Sequence, residues 1–339
     1  MRPIFHSHLV NGSGGDPVLY VDCLFEHRAL LFDLGDIRAL PPRKLMRVSH
    51  VFVSHAHMDH FIGFDGMLRI LLGRERDLHL FGPPGFLAQV EHKLKAYTWN
   101  LVQNYASNFT LRVTELDGTA TARRASFYCL RTFQREEEEV FEINANLLLD
   151  EPLLQVRYTL LDHGGIPCLA YALQENAHVN IWKNRLQELG LPLGAWLREL
   201  KHAVLRNEAD DATIRVAWQE QGVQLERILT LGELKPVLRI VQGQKIAYVT
   251  DVAWREDNFK RIVELARNAD LLYIEAVFMQ RDAAHGEKKC HLTARQAGEI
   301  ARAANAANVI PMHLSPRYQD EEIALLRAEV GEAFGGTVL

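Results

Sequence analysis

The feature that most constrains this chain is a cluster of metal-binding side chain types, Ser54-His55-Ala56-His57-Met58-Asp59-His60. A largely apolar run at residues 48–53 precedes the cluster and predicts a buried strand. Residues 61–72 predict the start of a helix, with helical apolar spacing over 64–72, and residues 85–100 predict a further helix. The cluster is therefore expected on a turn that leaves the end of a strand. There, imidazole nitrogens and a carboxylate, the ligand types of zinc and similar divalent metals, can converge.

Alternate residues of an extended turn point the same way, so His55 and His57 can bind one ion. Asp59 and His60 can then face a second ion nearby. The alternative is that these residues are scattered polar side chains of a loop. Four candidate ligands within six residues argue against that alternative.

The bulk composition is that of a globular protein with a large core. The chain has 339 residues, of which 48% are hydrophobic and 24% charged. Its net charge of −5 gives no overall positive field for nucleic acid, although a local basic patch stays possible. Residues 1–8 lack the apolar core of a signal peptide, and no apolar run reaches the roughly 18 residues of a membrane span. We therefore expect a cytoplasmic protein with no membrane partner.

The cysteine pattern supports the same expectation. The four cysteines lie far apart and form no C-x-x-C pair, so a disulfide framework is not expected and a reducing compartment fits. They are Cys23, Cys129, Cys168 and Cys290.

The order of the chain predicts an α/β protein. Residues 1–40 and 106–160 are rich in strand patterns, whereas from residue 245 onward strands alternate with helices. Three of these later strands end in ligand-type residues, Asp251, Glu275 and His313, which suggests a shared rim. Between residues 175 and 244 the pattern weakens: helices are predicted at 183–189 and 195–204, with no Pro/Gly/Ser-rich linker and no internal repeat. We expect one domain over residues 1–339 with a variable insertion around 175–244.

Several residues are open to two interpretations. Asp33, at the end of a strand, either supports the site or forms a turn, and the turn is favoured. His163 lies where a second hairpin would place a metal ligand, although by itself it fits an ordinary turn histidine. His79 and His92 are expected to be surface or packing residues. The acidic run 136–139 is expected to be a solvated loop or edge.

Beyond the first cluster, the chain resembles the metallo-β-lactamase-fold hydrolases, and within them the ribonuclease Z branch. Further motifs follow the order of that family and span nearly the whole chain. They are Asp162-His163-Gly164-Gly165-Ile166-Pro167, Thr250-Asp251, Ile274-Glu275-Ala276, His291-Leu292-Thr293-Ala294 and Met312-His313-Leu314-Ser315-Pro316-Arg317-Tyr318. The resemblance implies a four-layer αβ/βα sandwich, in which two sheets lie face to face and the metal site occupies one edge.

The resemblance also implies a ligand set for two divalent metal ions per chain, with zinc expected. His55, His57 and His163 would hold one ion, Asp59, His60 and His313 the other, and Asp251 would bridge them. Two such ions lower the pKa of an attacking water and stabilise charge on phosphate oxygens.

The resemblance assigns roles to a few further side chains. Asp59 would orient the attacking water and accept its proton. His291, held by Glu275, would protonate or stabilise a leaving 3′-oxygen. Ser315 and Arg317 are candidates for contacts with phosphate.

The chain departs from the family pattern in two places. The usual H-S-T-A reads His291-Leu292-Thr293-Ala294, and the Gly-rich opening is matched only loosely at residues 11–17. The family's arm that grips transfer RNA is rich in Gly, Pro and basic residues, whereas residues 189–197 here are largely apolar. The chemistry is therefore better supported than the substrate.

Three functions follow from these observations. The first is a zinc-dependent phosphodiesterase of ribonuclease Z type, a homodimer that cuts the 3′ trailer from precursor transfer RNA. The second is a hydrolase of a small ester, lactone or cyclic phosphodiester. The third, a non-catalytic module that binds nucleic acid or metal, is disfavoured by the complete ligand set.

Overall fold

The computed structural model describes residues 4–24, 26–118, 120–220 and 223–339. These residues form two compact units. The large unit comprises residues 4–148, 157–172 and 245–339, and the small unit comprises residues 149–156 and 173–244. The small unit thus covers the range where the sequence pattern weakens.

The described residues form strands and helices in alternation along much of the chain. The strands are β1 (Phe5–Leu9), β2 (Leu19–Cys23), β3 (Arg28–Phe32), β4 (Val48–Phe52), β5 (Arg76–Gly82), β6 (Phe109–Leu116), β7 (Thr121–Tyr128), β8 (Arg135–Glu142), β9 (Leu147–Asp150), β10 (Leu154–His163), β11 (Ile166–Glu175), β12 (His178–Ile181), β13 (Thr213–Glu220), β14 (Val223–Thr230), β15 (Leu238–Val241), β16 (Lys245–Val249), β17 (Leu271–Glu275), β18 (Asn308–Met312) and β19 (Thr337–Val338). The helices are α1 (Pro42–Leu45), α2 (Met58–Phe61), α3 (Phe64–Leu71), α4 (Phe86–Lys95), α5 (Lys183–Glu188), α6 (Trp196–Leu205), α7 (Leu231–Leu234), α8 (Glu256–Ala266), α9 (Ala283–Lys289), α10 (Ala294–Ala303) and α11 (Asp320–Phe334).

Two large mixed sheets carry the fold. The first has the order β1-β2-β3-β4-β5-β6-β7-β8, and the second has the order β19-β18-β17-β16-β11-β10-β9. Strands β3 to β6 run parallel, as do β16 to β19. Because parallel strands end at the same edge of a sheet, the residues that follow β3 and β4, and those that follow β16 to β18, are brought to common edges.

Aromatic side chains pack between the two sheets of the large unit. The ring of Tyr171 lies 5.9 Å from that of Phe32 and 5.5 Å from that of Phe52, and Tyr248 lies 5.8 Å from Phe32. All four side chains are fully buried. The sheets therefore face each other, as in other sandwiches.

Helices cover the outer faces of both sheets. Apolar residues of α3 and α4 share one core with the first sheet, and those of α8, α10 and α11 share another with the second sheet. The prediction of a four-layer αβ/βα sandwich is therefore confirmed.

Two predicted helix boundaries were wrong. The helix expected to start at residue 61 begins at Met58 as α2 and breaks around Gly63, whereas the helical spacing over 64–72 corresponds to α3. A Cβ atom on Gly63 would lie 2.2 Å from the carbonyl oxygen of Gly35, so the chain passes that turn too closely for any side chain. The helix expected at 85–100 ends at Lys95, where the indole of Trp99 donates to the carbonyl of Leu94 at 2.8 Å.

The small unit has a core of its own. Strands β12 and β15 pair antiparallel, and β13 and β14 form a hairpin. Trp196 and Leu200 of α6 pack with Ile214 of β13. The helices predicted at 183–189 and 195–204 correspond to α5 and α6. In the described part of the chain, every helix is too short or too polar to cross a membrane.

Candidate metal site

The predicted ligands meet at the strand ends of the large unit. They form three overlapping groups, in each of which the ligand atoms lie within 4.8 Å of one another. The groups are His55, His57, His163 and Asp251; Asp59, His60 and His313; and Asp251, Glu275, His291 and His313. All seven predicted ligands are thus brought together, along with the predicted pair of His291 and Glu275.

The first group collects around one oxygen of Asp251. Its Oδ2 lies 3.5 Å from Nε2 of His55 and 3.7 Å from Nε2 of His163. The ring of His57 lies 4.3 Å from that of His55. Three imidazoles and one carboxylate oxygen make a donor set suited to zinc.

The second group collects around the other oxygen of Asp251. Its Oδ1 lies 3.4 Å from Nε2 of His60 and 3.0 Å from Nδ1 of His313. Oδ2 of Asp59 lies 3.4 Å from Nε2 of His60 and 3.2 Å from Nε2 of His313. Asp251 therefore presents one oxygen to each group, as a bridging ligand does.

Buried nitrogens without partners support the fit of metal ions to these groups. Nε2 of His55, Nε2 of His60 and Nδ1 of His313 are buried without a hydrogen bond. Buried polar atoms are nearly always satisfied, so such a cluster needs an explanation. Divalent cations bound to these nitrogens supply one.

Asp33 supports the second group through hydrogen bonds to its buried carboxylate. Its fully buried carboxylate accepts from Nδ1 of His60 at 2.8 Å and from the hydroxyl of Tyr248 at 2.8 Å. The amide and hydroxyl of Ser54 donate to it at 2.6 and 2.9 Å. With Nδ1 engaged, His60 keeps Nε2 free for a ligand. The favoured interpretation of Asp33 as only a turn residue missed this role.

Three residues of the site adopt the left-handed backbone conformation that is uncommon outside glycine. Asp33, Asp251 and His313 have φ values of 59°, 46° and 55°. Each lies just after a parallel strand, β3, β16 or β18. Such a conformation persists only where its surroundings impose it, and it is common at functional sites.

Nearby charges and burial shift the pKa values of the predicted ligands in opposite directions. Burial lowers the pKa of His55 to about 3. Burial also acts to lower the pKa values of His60 and His313, but the surrounding carboxylates, Asp251 foremost, together outweigh it and both pKa values rise. The same two imidazoles hold the pKa of Asp251 well below its usual value, although burial opposes this. The carboxylate is thus ionised, as a metal ligand must be.

His291 and Glu275 form the predicted pair beside the ligands. Nδ1 of His291 lies 2.7 Å from Oε2 of Glu275. The other carboxylate oxygen accepts from the backbone amides of Val252 at 2.9 Å and Leu292 at 3.2 Å. Burial alone would lower the pKa of His291, but the fully buried Glu275 raises it. The pair can therefore hold a proton and fix the ring.

A pocket of about 530 Å³ opens onto these groups. Its other wall includes Phe278, His285, Lys289, Ser315 and Arg317. The guanidinium of Arg317 lies 5.3 Å from the centre of the Phe278 ring, and its Nη2 lies 3.2 Å from Nε2 of His285. Both predicted phosphate-contacting residues thus line the pocket. His79 stacks on His50 instead, at 4.7 Å, and His92 lies exposed on α4.

The fold and this site define a class of protein that the comparisons also identify. The family model described as "Beta-lactamase superfamily domain" matches residues 18–144 and 235–314. The fold of this chain is similar to that of the metallo-beta-lactamase fold protein YhfI of Bacillus subtilis. The TM-score is 0.54 at 15% identity, and the alignment covers 97% of this chain and 93% of YhfI. The short form of human tRNase Z gives a TM-score of 0.50 at 17% identity, covering 93% and 92%.

The sequence places the chain more narrowly. It is 30% identical to Ribonuclease Z of Deinococcus radiodurans over 311 residues, 86% of this chain and 84% of its relative. The chain therefore belongs to the beta-lactamase superfamily and, within it, to the ribonuclease Z family. It is a metal-dependent hydrolase of the phosphodiesterase or endoribonuclease type.

Proposed function

We propose that this chain is a zinc-dependent endoribonuclease that removes the 3′ trailer from precursor transfer RNA. The observation that carries the proposal is the single carboxylate of Asp251 with one oxygen in each of two ligand groups. The His291–Glu275 pair lies at the same pocket, where a leaving oxygen would need a proton. The names of relatives such as Ribonuclease Z of Deinococcus radiodurans support an RNA substrate.

Two zinc ions would be held by the seven predicted ligands. His55, His57 and His163 would bind one, Asp59, His60 and His313 the other, and Asp251 both. When bound, two such ions lower the pKa of an attacking water and stabilise charge on the phosphate.

The side chains of the pocket would carry the remaining steps. Asp59, which is half-buried beside His60 and His313, would orient the water and take its proton. His291 would donate a proton to the leaving 3′-oxygen. Glu275 would stabilise the positive charge of the protonated His291 ring. Arg317 and Ser315 would bind phosphate oxygens.

Elemental analysis tests the metal content. Seven ligands are too many for one tetrahedral zinc, so reconstituted protein should hold two equivalents. Fewer than about one equivalent after reconstitution with zinc would overturn the dinuclear site.

The role of His291 is tested with paired substrates. His291→Ala should slow hydrolysis of phosphodiesters with poor leaving groups by roughly 10²–10⁴-fold, because only these need a proton on the departing oxygen. Nitrophenyl esters should slow far less, since nitrophenolate leaves unprotonated. Equal slowing of both would assign His291 a structural role.

A second candidate is a hydrolase of small phosphodiesters, esters or lactones. Three observations favour it: the net charge of −5, the acidic strand β8 and the exposed Leu189 and Leu193 where the family arm is basic. Glu136 and Glu139 of β8 pair with Arg131 and Arg124 at 2.6 and 2.7 Å, which occupies two arginines that could otherwise bind phosphate.

Precursor transfer-RNA affinity at two salt concentrations decides between the candidates. Each Lys or Arg contact with phosphate makes affinity fall with salt. We expect hydrolysis of simple phosphodiesters, with transfer-RNA binding that is weaker and more salt-sensitive than that of an enzyme with the full family arm. Tight binding that persists at about 200 mM salt would reveal a specific docking surface instead.

We further propose that the chain acts as a homodimer in the cytoplasm, as one domain with an insertion at 175–244. The wide spacing of the four cysteines, without a C-x-x-C pair, supports a reducing compartment. In a dimer, Lys183, Arg185, Arg198 and Lys201 of one chain would lie beside the pocket of the other. Analytical ultracentrifugation tests this, and a monomer at micromolar concentration would contradict it.

A further inference from the structure

The first ligand group depends on two strand ends that are far apart in the sequence. His163 is the last residue of β10, and Asp251 follows β16. The amide of Ala253 donates to the carbonyl of Asp162 at 3.0 Å, which joins the two segments next to their ligands.

The side chain of Asn258 braces this junction. Asn258 lies in the first turn of α8 and is only 4% exposed. Its Oδ1 accepts from the amide of Asp162 at 3.0 Å. Its Nδ2 donates to the carbonyls of Asp162 at 2.9 Å and Ala253 at 2.8 Å. One carboxamide thus satisfies three backbone groups, using one acceptor and both donors.

We propose that Asn258 is a positioning residue that sets the separation between His163 and Asp251, and with it the affinity of the first ligand group for zinc. The inference rests on the proposed metal ligands. Asn258 contacts the backbone on both sides of the junction, one residue before His163 and two residues after Asp251. The ring of His163 is held separately, by the carbonyl of Cys290 at 3.0 Å from Nδ1.

The side chain of Asp162 makes further contacts. Its Oδ1 accepts from the amide of Gly165 at 3.0 Å, which shapes the turn after His163. Its Oδ2 pairs with Arg255 at 3.1 Å, and this ion pair also crosses the junction, but its side chains are 57% and 39% exposed, so solvent weakens it. Asn258 makes the buried contacts across the junction.

Chelator competition on the zinc-loaded enzyme tests the proposal. Asn258→Ala should weaken one of two zinc equivalents by roughly 10- to 100-fold, as loss of a support for metal ligands typically does. The other equivalent, held by Asp59, His60, His313 and the shared Asp251, should be weakened less, because it shares only Asp251 with the junction. The matched control is Asn308→Ala, which removes an exposed amide that donates to the carbonyl of Asp270 at 3.0 Å. That variant should bind zinc like the wild type.

A second variant covers the case in which Asn258→Ala does not fold. Asn258→Asp keeps the shape and the acceptor for the Asp162 amide but removes both donors. It should also release one equivalent selectively. Unchanged affinity for both equivalents in either folded variant overturns the role of Asn258. If the wild type itself binds less than one equivalent, the proposed metal site fails instead.

Discussion

Asp33 offers the sharpest test of how the fold prepares the second ligand group. Its carboxylate accepts four hydrogen bonds, and three of them, from His60, Tyr248 and the Ser54 hydroxyl, converge on Oδ2. The Ser54 amide alone donates to Oδ1, at 2.6 Å. Asp33→Asn replaces one of these oxygens with a donor while keeping the volume of the side chain.

The asymmetry of the four bonds decides which way the introduced carboxamide turns. With its oxygen in the place of Oδ2, the carboxamide would keep three bonds and would set its NH₂ against the amide of Ser54. With the opposite orientation it would lose three bonds, so the first is preferred. One orphaned buried N–H costs about 1–3 kcal/mol, and the loss of charge in the bond to His60 adds to this. We expect the metal-free protein to lose about 2–4 kcal/mol of stability.

Chemical denaturation of chelator-treated protein measures this loss, and Tyr248→Phe is the matched control. That change removes one donor and leaves an acceptor unused, which should cost only about 1 kcal/mol. Because Asp33→Asn keeps the acceptor for Nδ1 of His60, zinc affinity should fall by only about tenfold. This is near the lower limit of the losses seen when a residue that holds a metal ligand is replaced. If Asp33→Asn and the wild type have the same midpoint denaturant concentration for unfolding, the carboxylate is not the acceptor that the geometry indicates.

Three further changes test other parts of the structure. Asp59→Ala should lower turnover by roughly 10²–10⁴-fold without unfolding the chain, whereas the exposed His92→Ala should change little; similar losses would mean that the site is misplaced. Burial, with help from neighbouring cations, lowers the pKa of His50 to about 2, so the native state resists its protonation. Stability should therefore fall as pH drops below about 6.5, by about 2 kcal/mol at pH 5, and His50→Asn should remove that part of the slope in pH-dependent denaturation. Gly63→Ala should destabilise by about 1–3 kcal/mol because its Cβ meets a backbone carbonyl at 2.2 Å, while Gly66→Ala, with 3.4 Å of room, should be neutral or stabilising in the same thermal melts.

The sequence was most informative where a buried strand ends in a ligand-type residue. The runs before Asp251, Glu275 and His313 are apolar and short, so both the strands and their carboxyl ends could be located. The parallel pairing of β16 to β18 then places those ends on one edge. Periodicity and residue type were sufficient because each element is local and the arrangement of parallel strands is nearly fixed.

Helix boundaries were less predictable because they depend on contacts outside the local pattern. A helix was expected to run on from residue 61, yet it is interrupted at Gly63. The backbone carbonyls of Leu34 and Gly35 lie too close to Gly63 at this point. Gly35 is equally constrained, since a Cβ atom there would lie 2.3 Å from the carbonyl of Asp59. A pattern that records only which residues are apolar carries no information about this backbone approach.

Supporting residues were the least predictable, and the reason is physical. Two of the three contacts of Asn258 are to backbone groups 96 positions away, and any residue could supply those groups. Asp33 likewise reaches His60 across 27 positions, and it does so only because β3 and β4 are neighbours in the sheet. A ligand can be recognised from its own chemistry, whereas a support is defined by what it touches. The candidate metal ligands could therefore be identified from the sequence, but the contacts that hold them in place required the fold.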